Sequence, residues 1–138
     1  MNHRLALAAV TLALAAPAFA APPKFNVQDF STATLIDKAA VMAVWNEALS
    51  KKLSKVYAPS KWGFLSQVEG GFNGAKVCVV TARVTMLPVA GKKLVFTPEK
   101  TSTTFDAQPN LSQAQCTELA TEKLKEAVQS LMSGLVKT

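Results

Sequence analysis

The sequence predicts an α+β fold in two layers: an antiparallel sheet of three to four strands, packed on one face by an N-terminal and a C-terminal helix (α-β-β-β(-β)-α). Three observations carry this reading. Apolar residues recur at three- and four-residue steps near both ends of the chain. Between them lies a stretch of period-two patterning, Val77 to Met86, with one face wholly apolar and the other more polar. An Asn73-Gly74 pair stands just before that stretch, the strongest short hairpin signal, because a two-residue type I′ turn needs positive φ at both central positions.

In chain order, residues 1–20 read as a cleaved secretory signal peptide. Met1-Asn2-His3-Arg4 is a short basic start, Leu5 to Ala16 is uncharged and mostly Leu and Ala, and Ala18-Phe19-Ala20 follows Pro17 as an A-x-A cleavage site. The apolar run is too short for a membrane span. Residues 21–34 read as an extended leader. It is stiffened by Pro22-Pro23, and its Phe25, Val27 and Phe30 are apolar enough to lie against the domain. Residues 35–138 then form a single domain.

The first helix is expected over Leu35 to Val56. Thr34 and Asp37 form a capping box with Asp in place of Glu. Leu35, Ala39, Met42, Trp45, Leu49, Leu53 and Val56 make its inward stripe, and Ala58-Pro59 ends it. The hairpin spans Trp62 to Thr85. Cys78, Val80, Ala82, Val84 and Met86 share the inward face of its outgoing strand. A two-residue turn would set Glu69 opposite Cys78, in the core. A bulge at Gly70-Gly71 is therefore expected, to shift the register by one and bring Trp62, Phe64 and Val68 inward. Pro88 to Gly91 reads as a turn and Lys92 to Thr97 as a third strand. Pro98 marks a break before a fourth, Thr101 to Phe105, and Asp106 to Asn110 reads as a loop. The last helix starts at a capping box of Ser112 and Gln115, with Leu111 and Cys116 at staple positions. Cys116, Ala120, Leu124, Ala127, Leu131 and Leu135 form its inward stripe, and it ends near Met132 with Gly134 as a stop.

Two cysteines, Cys78 and Cys116, are placed by independent patterns on faces that point to the same core. An even count in an exported chain reads as a structural disulfide.

The one histidine, His3, lies within the signal. Without it the mature chain has no Ser-His or Cys-His pair and no imidazole ligand for zinc. The P-loop, G-x-G-x-x-G, G-x-S-x-G and S-x-x-K patterns are absent. No cofactor, nucleotide or metal site is therefore expected, and no catalytic residue. Carboxylates remain. Glu118, Glu122 and Glu126 recur at four-residue steps as the outer face of a helix, while Glu69 and Asp106 flank strand ends. The net charge is +6, and Lys51, Lys52, Lys55, Lys61, Lys92 and Lys93 are the residues that would form a patch for an anionic partner. Trp45 and Trp62 fall on the inward pattern.

The reading favoured by these features is an exported small binding module without catalysis, periplasmic or secreted. It would be an inhibitor or immunity-type protein, or an envelope-associated one, with an envelope or exported protein as its partner. The rivals are a small carboxylate-dependent hydrolase and a basic protein held on anionic envelope polymer. The sequence specifies no oligomeric state.

Overall fold

The computed structural model describes residues 24–136. The expected signal peptide lies outside the described residues. The elements are β1 (Asn26–Asp29), α1 (Lys38–Ala48), α2 (Lys51–Val56), β2 (Trp62–Phe72), β3 (Val77–Ala90), β4 (Lys93–Leu94), β5 (Lys100–Pro109) and α3 (Gln113–Leu135). They make an α+β fold in which helices before and after the strands pack on one curled sheet. The long β3 is its spine. Antiparallel β2 lies on one side of β3 and antiparallel β5 on the other, with the two-residue β4 against the end of β3. β1, from the expected leader, adds a strand parallel to β2. Its docking is tertiary: Phe25 packs edge-on against Phe64, ring centroids 5.2 Å apart.

The inward face is the one the alternation predicts. Cys78, Val80, Ala82, Val84 and Met86 are buried, and so are Phe64 and Val68 across the β2–β3 ladder. Trp62 shares this face and is half-buried. The bulge expected at Gly70-Gly71 is not there. The ladder runs unbroken from Trp62↔Pro88 to Phe72↔Cys78. The register shift comes from the turn instead. Asn73 sits at the first position of a turn closed by Lys76 N–H to its carbonyl (3.0 Å), and its Oδ1 accepts from Ala75 and Val77 N–H. Lys76 takes φ 58°. The loop is thus three residues, Gly74 to Lys76, ending in a left-handed residue, one of the common hairpin closures. Gly70 is needed for another reason. Its φ is 131°, and a Cβ there would overlap the Val79 carbonyl.

The first helical stretch is two helices, not one. α1 starts from Asp37, whose carboxylate accepts from Ala40 N–H, one turn later than the expected box. It stops at Ala48. Ser50 then caps α2 by accepting from Leu53 N–H at 3.2 Å, which offers the backbone an alternative to continuing the helix. The buried face of α1 is also rotated from the expected stripe. Leu35, Ile36, Val41, Val44, Trp45 and Leu53 are buried, while Ala39 and Val56 from the expected stripe are exposed and Met42 is half-buried.

Farther along, β3 continues through Pro88 to Ala90, where a turn was expected. The third strand shrinks to Lys93–Leu94, and the fourth lengthens to Lys100–Pro109, absorbing most of the expected loop. α3 matches its expectation closely. The capping box of Ser112 and Gln115 is formed, and all six stripe residues are buried, joined by Leu119 and Val128. Gly134 lies inside the helix, which runs to Leu135.

A polar chain, buried at Trp45 and Ser66 and half-buried at Asp29 and Ser31, ties β1, β2 and α1 together. Trp45 Nε1 donates to Ser66 Oγ (3.2 Å), and Ser66 Oγ donates to Asp29 Oδ1 (3.0 Å). The Ser31 N–H and hydroxyl also donate to Asp29 Oδ1, and Val68 N–H donates to Ser31 Oγ. Each buried polar atom in this chain has a partner, as a low-dielectric interior requires.

Candidate functional site

Helices cover only one face of the sheet. The other face carries the odd-numbered residues of β2, β3 and β5, among them Leu65, Gln67, Arg83, Thr85 and Leu87. At one end it is roofed by the chain after β3. Leu94 comes down onto Leu65 and Leu87, with Val89 beside them, to form a second small core. Gly63 permits this approach, since a Cβ there would meet both the Leu94 side chain and the Asn26 carbonyl. Where this roof ends, a groove of about 280 Å³ opens. Leu65 and Leu87 form its floor, with Arg83 and Thr85 beside them and Phe30, Phe96 and Pro98 on its walls. The Phe30 and Phe96 rings lie 6.3 Å apart and stay 56% and 65% exposed. Farther along the same face Phe105 is 64% exposed. Exposed aromatic side chains are the usual anchors of a protein interface.

Of the six lysines, Lys61, Lys92 and Lys93 lie where β2 begins and β3 finishes. The Lys61 carbonyl accepts from Val89 N–H at 2.8 Å, Lys93 pairs with Ala90, and the Lys92 carbonyl accepts from Asn26 Nδ2. Lys51, Lys52 and Lys55 ride on α2, which reaches this end through Tyr57 packed edge-on against Trp62. All six are exposed, and none is in an ion pair among the described residues. The groove opens beside this basic end, since the segment that carries Lys92 and Lys93 continues into Phe96.

Cys78 and Cys116 are bonded, with Cα atoms 5.8 Å apart, and both are fully buried. The bond fastens the first turn of α3 to the hairpin end of β3. It marks an oxidising compartment. Trp45 is fully buried.

The carboxylates do not gather. Glu69 and Asp106 project from opposite faces of the sheet, and Glu69 accepts from the Gln67 amide at 2.6 Å. Asp106 is held below the usual carboxylate range by hydrogen bonds from the Gln108 amide and Ala107 N–H, with a smaller contribution from Lys123 at 3.8 Å. Lys123 is raised in turn, chiefly by its hydrogen bond to Glu126. Among the described residues no three His, Cys, Asp or Glu side chains cluster as metal ligands would, and no helix is long and apolar enough to cross a membrane.

Sequence reasoning marked the lysines but missed the groove. Phe30 stood out as too apolar for a free tail, yet nothing local places Phe96 beside it. Comparison with protein-family models, curated proteins and solved structures finds no match for this chain.

Proposed function

We propose that this protein is an exported, non-catalytic binding module, periplasmic or secreted, that holds a protein partner on the outer face of its sheet. The observation that carries this reading is the groove itself: two exposed phenylalanines over a leucine floor, beside an end of the molecule lined with unpaired lysines. The complementary partner is an envelope or exported protein that offers an apolar side chain with acidic residues beside it. The buried disulfide and the export-type sequence of residues 1–20 support the compartment. A second reading, attachment to an anionic envelope polymer, is favoured by the exposed lysines Lys61, Lys92 and Lys93 at the start of β2 and the end of β3.

Capture from envelope extract separates the two. The binding-module reading expects one protein to be retained at moderate salt. It expects capture to fall at least tenfold in Phe30→Ser/Phe96→Ser, and to fall by less, but measurably, in Lys92→Glu/Lys93→Glu, which set carboxylates against the partner's acidic residues. Polymer retained only at low salt, and lost in the lysine variant alone, would favour the second reading.

A further inference from the structure

β5 is an edge strand ten residues long, paired to β3 and, among the described residues, to no other strand. Its free main-chain groups can be assigned. The Ser66 carbonyl is taken by Phe30 N–H on the β1 side, so the even residues of β2 turn away from β3 and the odd ones toward it. Through the registers of β2 with β3 and of β3 with β5, the even residues of β3 and β5 bond one another. Thr101, Thr103, Phe105 and Ala107 therefore turn their N–H and C=O groups outward, and all four are exposed. The Ala107 N–H is taken by Asp106 Oδ1 at 2.7 Å. Three consecutive outward positions remain, Thr101, Thr103 and Phe105, none bonded to backbone elsewhere among the described residues. This stretch has none of the usual guards of an open edge: no proline, no outward lysine and no bulge.

We propose that two copies of this chain join through their β5 strands, antiparallel about a two-fold axis at Thr103, so that one sheet runs through both. This register sets Thr101 opposite Phe105 of the second copy and Thr103 opposite Thr103, and it uses the three free N–H groups of each copy. It is also the register that the charges favour. Lys100 falls opposite Asp106 of the second copy, twice by symmetry, at non-hydrogen-bonded positions where cross-strand side chains lie closest. In the single chain Lys100 donates to the Gly134 carbonyl at 3.0 Å and has no carboxylate partner among the described residues. The bonded positions give main-chain affinity, the charge pairs fix the register, and symmetry makes the strand its own complement.

Sedimentation equilibrium of the purified, oxidised protein over a wide concentration range tests this. The expected result is a dimer. Thr103→Pro removes the central outward donor while leaving the bonds to β3 in place, because Thr103 does not donate to β3. It should sediment as a monomer with unchanged circular dichroism and a thermal midpoint that, unlike the parent's, does not rise with concentration. Lys100→Glu and Asp106→Lys each set like charges opposite one another and should weaken dimerisation about tenfold, while the double variant restores it. The restoration holds the test open even if the proline variant fails to fold. A monomer at every concentration overturns the proposal, as does a dimer indifferent to both the proline and the charge reversals.

Discussion

Replacing Cys78 and Cys116 together by Ala is expected to lower stability by about 2–4 kcal/mol, with the thermal midpoint falling by roughly 10 °C or more. The bond closes a loop with a sequence separation of 38, a constraint on the unfolded chain worth about 4 kcal/mol in the entropy model. Both sulfurs are buried in the main core, between the start of β3 and the first turn of α3. Two alanines refill part of that space, so the cavity cost is small beside the lost constraint. The effect should appear as faster unfolding and a less stable hairpin end, with capture of the partner unchanged in the folded fraction. Thiol titration of the denatured, unreduced protein should find no free thiol. Two free thiols would contradict the structure at its best-defined cross-link.

The second large effect is expected at Trp45. Trp45→Ala should cost about 3–5 kcal/mol, a substantial part of the 5–15 kcal/mol typical of a whole domain. The indole is fully buried, lies 5.1 Å from the Phe64 ring centroid, and donates to Ser66. Its loss empties the centre of the core and removes one end of the polar chain that runs to Asp29. Trp45→Phe separates these two roles. It keeps most of the packing and leaves Ser66 still donating to Asp29, so about 1–2 kcal/mol should be lost. Denaturant titration of the two variants gives both values. Equal losses would mean that the hydrogen bond, not the packing, holds α1 to the sheet.

How much of this was legible in the chain depends on how local the cause is. α3 was legible nearly whole, since its cap and stripe are both written within the helix. The inward face of β3 was legible too, because period two over ten residues admits one face. The break between α1 and α2 was not. Ser50 is compatible with a helix interior, and only the packing of Leu53 makes its cap preferable. The turn was misread for a similar reason. Asn suits the first central position of a type I′ turn and also the first position of a type I turn, and the two differ in register. β1 is four residues long and pairs in parallel with a strand more than thirty residues away, which no local pattern encodes. The groove exists because the chain after Leu94 folds back over the sheet, bringing Phe96 to Phe30. The lysines were visible as residues, but it is the β2–β3 ladder that brings Lys61 to the end of β3 that leads into Lys92 and Lys93.

The claim on which the functional reading rests is that the outer sheet face meets the partner while the helical face is scaffold. Site-specific photo-crosslinking in the native compartment tests it most directly, with the photoreactive residue at position 96 in one variant and at position 118 in another. Position 96 stands beside the groove, and Glu118 is exposed on the helical side. The account expects a discrete adduct with a different protein from position 96 and none from position 118. An adduct from position 118 with none from position 96 would contradict it.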